Sequence, residues 1–244
     1  MIELATHPDL IPTYEPHRLE ALRSYQLLSV PGQQLFNDLV GIVAKLFGVP
    51  IALVSLVEAE EVVFAGNVGL PGLERVARPD SLCSVAILQD GVTVYENLLV
   101  RPCHLTNPDA AAALDLQFYA GQSLHSADGY PVGTLCVMDH APRTFSAEES
   151  ALLASLGDVA MVLLDLRVAL TTDSALADGL RQRVDARIDQ SLTRIDTLAS
   201  LQQWESAPDT EAAQAYRRSS HEEATQVVRV LHAELRQALA GLHR

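Results

Sequence analysis

Lysine is nearly missing from this sequence, which has only Lys45 among its 244 residues, and acidic side chains outnumber basic ones 31 to 17. The formal net charge of −14 repels a phosphate backbone unless a local basic patch exists. The nearest thing to a patch is the pair Arg217 and Arg218, with Glu222 and Glu223 close behind, so nucleic acid is not expected as a direct partner. Cysteine is scarce too. Cys83, Cys103 and Cys136 are odd in number, widely spaced and without a C-x-x-C pair, which fits neither a disulfide framework nor a structural zinc site and suits a reducing cytoplasm. No apolar run approaches the roughly 20 residues that cross a bilayer, and the opening MIELATHPDLIPTYEP is acidic and proline-broken, unlike a secretory leader. Neither a G-x-x-x-x-G-K-[ST] loop nor G-x-G-x-x-G is present, which leaves nucleotide hydrolysis without visible machinery.

What is present is a sequence of well-punctuated elements. EPHRLEALRSYQLL from Glu15 and QQLFNDLVGIVAKLFG up to Gly48 carry apolar residues at helical spacing, separated by Pro31-Gly32. The apolar, β-branched run Pro50–Val57 and the run Glu61–Gly66 read as a buried hairpin. Asp80 and Ser81 supply N-cap residues ahead of a short apolar helix through Ile87, and Val92–Tyr95 reads as a strand. After an irregular loop from Asn97 to Asn107 and an alanine-rich turn, Leu116–Leu124 and Tyr130–Met138 form a second hairpin around the turn dipeptide Asp128-Gly129. The order predicts an α+β domain with a mostly antiparallel sheet and flanking helices, not a doubly wound nucleotide-binding fold.

From Ser146 the pattern turns helical. Ser146 and Glu149 have capping-box spacing, and the helix they open runs well past Leu170 unless Thr171-Thr172-Asp173 breaks it. Beyond it Leu176, Leu180, Val184, Ile188, Leu192 and Ile195 form one apolar stripe. Ala224, Val228, Leu231, Leu235 and Leu239 form another. The expectation is an α-helical hairpin over 169–244 whose uncovered seam pairs with a second copy, making a homodimer. Residues 1–14 are read as an N-terminal extension and 15–168 as the folded domain.

Four stretches, HRLEALRSYQLL, FGVPIALVSLVE, RPDSLCSVAIL and FYAGQSL with GYPVGTLCVMD, resemble the GAF domain, in the bacterial form found at the N-terminus of sensor kinases and cyclic-dinucleotide enzymes. The resemblance covers about Glu15 to Leu166. It implies a central antiparallel sheet of five or six strands and, on one side, a pocket for a small molecule. Asp80, Ser81, Cys83 and Ile87 would then form its roof, with Tyr95 and His104 to the side and Phe64, Phe118, Tyr119 and Gly121 in the floor. Gln122-Ser123 and Leu82 depart from the family's usual residues, and the asparagine-lysine-phenylalanine-aspartate signature of cyclic-nucleotide binders is absent. Neither ligand nor cofactor can be named from these residues.

Several side chains invite chemistry. A thiol at a helix N-terminus is pushed toward thiolate, which at Cys83 would suit redox sensing; the alternative is a small residue packing helix on sheet. Cys103 is the partner to pair with it, while Cys136, in mid-strand, reads as core. The resemblance also opens an enzymatic alternative, a thiol-dependent reductase of the free-methionine-sulfoxide type, which needs such a pair. His104 and His125 lack a second ligand at metal spacing, so no metal site is expected. Gly121-Gln122-Ser123-Leu124-His125 lacks the final glycine of a nucleophile elbow. His221 in His221-Glu222-Glu223-Ala224-Thr225 has the setting of a phosphoacceptor histidine, but a charged helix face explains the run better. With no catalytic motif, the expected function is a sensory module that relays a ligand or redox signal through its C-terminal helices to a downstream signalling protein. A ligand-free dimerisation scaffold is the remaining alternative.

Overall fold

The structure, a computed structural model, describes residues 8–26, 34–172 and 211–242, with Ala186, Asp189, Gln190, Thr193, Asp196 and Thr197 between them. Six strands form one antiparallel sheet: β1 Ile51–Val57, β2 Glu61–Val68, β3 Arg75–Ala77, β4 Val92–Tyr95, β5 Phe118–His125 and β6 Pro131–Asp139. Their order is β3-β2-β1-β6-β5-β4, so the two most apolar runs, β1 and β6, lie at the centre. That position explains why neither strand alternates with polar residues. In β1 every side chain is buried, Ala52, Val54 and Leu56 on one face and Ile51, Leu53 and Val57 on the other.

The first face is covered by helices α1 Glu15–Gln26, α2 Gln34–Phe47 and α5 Ala147–Thr172. Helix α2 ends where Gly48 turns into the left-handed region at φ +61°. The Val49 amide then bonds the Ala44 carbonyl at 3.0 Å, and this turn delivers the chain straight into β1. The expected capping box opens α5: the Glu149 amide donates to Ser146 Oγ at 3.1 Å and the Ser146 amide to Glu149 Oε2 at 2.9 Å. The opposite face carries two short helices, α3 Cys83–Ala86 and α4 Pro108–Ala113, joined by loops. The alanine-rich segment read as a turn is thus helical, started by Asn107, whose side chain accepts from the Asp109 amide.

The last helix, α6 Glu211–Leu242, lies against α5. Ala224, Val228, Leu231 and Leu235 are all buried there. One of the two stripes left for a partner in the sequence reading is therefore covered within the chain. The other, Leu176 to Ile195, lies outside the described residues. No helix among the described residues is long and apolar enough to cross a membrane.

A buried ionic knot fixes α1 to the sheet. Arg18 donates to both carboxylate oxygens of Glu15 at 2.7 Å and to the Val57 carbonyl at 2.7 Å. Arg78, just before the roof, donates to Glu15 at 2.6 Å and to the Leu10 carbonyl at 2.8 Å. Burial alone would raise the Glu15 carboxyl, yet the hydrogen bonds and charges of the two arginines hold it below its ordinary value.

Candidate functional site

Alternation along the strands decides which side chains reach the space under α3 and α4. On β5, Tyr119, Gly121 and Ser123 face that side, while Phe118, Ala120 and Leu124 join the helix-side core. Phe118 is therefore not in the pocket floor as expected. Its ring packs 5.6 Å from that of Phe145 under the Arg143 guanidinium, 5.4 Å away, because neighbours on a strand cannot share a face. On β6 the pocket side carries Thr134, Cys136 and Met138, and on β1 it carries Leu53 and Ser55.

A cavity of about 40 Å³ lies between these strands and the roof. Phe64, Asp80, Ser81, Cys83 and Tyr119 line it, joined by Met138 and Leu116 among others. At its rim the Asn107 amide group donates to Asp80 Oδ1 at 3.1 Å. Asp80 thus ties the two roof segments together rather than capping α3. Ser81 Oγ accepts from the Cys83 amide at 3.2 Å. Ile87 is buried in the roof's own packing, while Tyr95 and His104 line a separate outer depression with Glu96 and Arg101. His104 is exposed there.

Gly121 does not itself line the cavity, but it shapes the floor by what it lacks. A Cβ on it would overlap the Tyr119 hydroxyl, so glycine is what lets the Tyr119 phenol fold back over the sheet. That hydroxyl donates toward Cys83 Sγ at 3.7 Å. Tyr95 tilts over Tyr119 with ring centroids 6.5 Å apart, and its hydroxyl donates to Cys103 Sγ at 3.2 Å. Burial first, then the neighbouring thiols, raise Tyr119 well above the ordinary phenol range.

The thiol beside Cys83 is Cys136, with the sulfurs 3.8 Å apart, and not the Cys103 singled out from the sequence. Ser55 Oγ and Thr134 Oγ1 stand 2.8 Å from each other beneath them. The Cys83 thiol is lowered to about 6, mainly by the hydrogen bond from Cys136, against burial and with help from Ser55, Thr134 and Ser81. Cys136 moves the other way, raised by the same bond and by burial. A single-turn helix contributes little dipole, so these neighbours and not the helix N-terminus account for the shift. Cys136, Ser55 and Thr134 were overlooked as site residues. Their parity with Tyr119 across β1, β6 and β5 was the signal that could have found them.

His221 is half-buried on α6, three residues before buried Ala224, and so stands at the edge of the seam with α5 rather than on an open face. Among the described residues no group of three metal-binding side chains occurs.

A profile of the GAF domain matches residues 31–164, more than half of the chain. A cyclic di-GMP phosphodiesterase of Pseudomonas aeruginosa is 32% identical over 145 residues, which are 59% of this chain. The chain spans only 24% of that relative's length. Among solved structures, the GAF domain of an Acinetobacter phosphoenolpyruvate-protein phosphotransferase is 16% identical and matches 64% of this chain and 98% of its own, with a TM-score of 0.47. The PixJ GAF domain of Thermosynechococcus elongatus, in its blue-light absorbing form, is 13% identical and matches 65% and 95%, also at 0.47. With its six-stranded antiparallel sheet, roofed cavity and long flanking helix, this chain belongs to the GAF domain family, a signalling sensor fold.

Proposed function

We propose that the chain is a signal-transduction sensor module that reads a small molecule or a redox change under the α3–α4 roof and relays it through α5 and α6. The observation that carries this reading is the two-sidedness of β5 and β6. Tyr119 and Met138 line the cavity, while Ala120 and Val137, one residue along, belong to the core packed by α5. A shift of these strands under the roof is therefore felt by the helix on the far side. Such a pair of packed helices is the sort of element that has two discrete arrangements. The matched relative is a cyclic di-GMP phosphodiesterase, which favours a downstream partner of that signalling kind.

At about 40 Å³ the cavity holds waters or a molecule of two or three heavy atoms. Pockets for larger ligands run to about 300–1,000 Å³, so a larger ligand enters only by lifting the roof. Native mass spectrometry and an absorbance spectrum of the protein from its own host test this directly. Hydrogen exchange along α5 and α6 is then followed before and after the bound species is released. Altered exchange in α5 supports the relay. A bare chain whose helices ignore the oxidation state of its thiols would leave only a dimerisation scaffold.

The thiol lining the cavity, with a second thiol beside it, favours one further reading, a thiol-dependent reductase. Turnover of free methionine sulfoxide that disappears in Cys83→Ser would establish it. No turnover with a complete reducing system would end it.

A further inference from the structure

Three features meet beneath the roof. Cys83, on α3, and Cys136, on the central strand β6, are buried with their sulfurs 3.8 Å apart. A row of hydroxyls, Ser55, Thr134 and Tyr119, surrounds them, and Ser123 Oγ, paired in register with Thr134, is buried without a hydrogen-bond partner. The small cavity opens beside Cys83 and reaches the surface at Asp80 and Asn107.

We infer that Cys83 and Cys136 are a peroxide-reactive dithiol that closes to a disulfide between the pocket roof and the sheet. This deepens the sensor reading and rests on it for its consequence, but not for its chemistry. Cys83, as thiolate, attacks one oxygen of hydrogen peroxide; the O–O bond breaks, leaving a sulfenic acid on Cys83 and releasing water once the departing oxygen takes up a proton. The Cys136 sulfur then attacks the Cys83 sulfur; the S–O bond breaks, a second water leaves, and the S–S bond forms. Two thiols and one peroxide give one disulfide and two waters, the two electrons passing from sulfur to oxygen.

The chemistry matches the surroundings. The hydroxyls and the Cys136 S–H donate toward Cys83, which makes it the attacking thiolate, while Cys136 keeps its proton until the sulfenic acid forms. A cavity of about 40 Å³ admits a two-oxygen peroxide and turns away a bulky disulfide such as oxidised glutathione. Closing the bond brings the sulfurs from 3.8 Å to about 2.05 Å. Strand β6 is held on both sides by β1 and β5, whereas α3 is four residues between loops, so the roof is the part that moves.

The test is hydrogen peroxide added to the full, reduced chain, followed by intact mass and non-reducing peptide mapping. The expected result is a loss of about 2 Da that dithiothreitol reverses, mapped to a Cys83–Cys136 link in the wild type and in Cys103→Ser. Cys136→Ser should stop at a gain of about 16 Da on Cys83. Oxidised glutathione should react at least tenfold more slowly than peroxide at equal concentration. A Cys83–Cys103 link, or cysteines that stay reduced in a protein with native circular dichroism, would overturn the proposal; the wild-type map decides this even if a variant misfolds. If the link forms but hydrogen exchange in α5 and α6 is unmoved, the dithiol stands and the redox half of the sensor reading is what fails.

Discussion

Replacing Gly121 by alanine would put a methyl group where the Tyr119 hydroxyl and ring edge now lie. Overpacking of a filled core costs about 1–3 kcal/mol, so Gly121→Ala should lower the urea unfolding free energy by roughly 2 kcal/mol. Tyr119→Phe removes the worst overlap, so adding it to Gly121→Ala should recover part of that loss. A strictly additive double mutant would show that the two positions are not coupled. The same phenol lies against Cys83, whose thiol is held at about 6 where an ordinary thiol stands at 9.0. The groups facing it are Cys136 from β6, Tyr119 from β5 and the hydroxyls of Ser55, Thr134 and Ser81. The thiolate fraction grows as pH rises through the folded value. Peroxide oxidation of Cys83 should therefore climb with a midpoint near pH 6 and level off by pH 7.5 or so. A midpoint near 9 would mean that burial outweighs these neighbours.

Among the elements, α1 is held by charge as much as by packing, and this has a pH signature. The Glu15 carboxyl lies below its ordinary value of 4.5 because Arg18 and Arg78 outweigh burial. A depressed folded value contributes stability that is complete above the unfolded value and is lost as pH falls through the folded one. Removing one member of a buried ionic group costs about 3–5 kcal/mol. Glu15→Gln should thus be less stable than wild type by roughly that amount at pH 7, with the gap between the two urea curves narrowing below pH 4.5. A gap that persists unchanged to pH 3 would contradict the ionic account. The i,i+3 spacing of Glu15 and Arg18 was legible in the sequence, but their meeting with Arg78 was not, because only the fold brings the loop before α3 against α1. The elements were legible where local signals were strong: the Ser146–Glu149 box, the Gly48 stop and the two central apolar runs. Facing was misread where a contiguous block was taken whole. Phe118 and Tyr119 cannot share a side, and Cys136, set aside as core, shares one with Tyr119. Period tells which residues go together on one element, but only topology tells which element covers them.

At the scale of the whole molecule the same limit governs the helices at the C-terminus. The stripe from Ala224 to Leu235 is buried against α5 of its own chain, so a second copy has no use for it. The stripe Leu176, Leu180, Val184, Ile188, Leu192 and Ile195 lies outside the described residues, and a net charge of −14 makes random association of such chains unfavourable. From its apolar spacing in the sequence we propose a homodimer built on that stripe rather than on α6. Sedimentation velocity at micromolar concentration should find the wild type at twice its 26.4 kDa, and Leu180→Glu with Ile188→Glu should return it to the monomer. Charging exposed Val230 on the outer side of α6 should leave the dimer intact. A double mutant that remains dimeric would move the interface elsewhere, and a monomeric wild type would confine the relay from the pocket to α5 and α6 of a single chain.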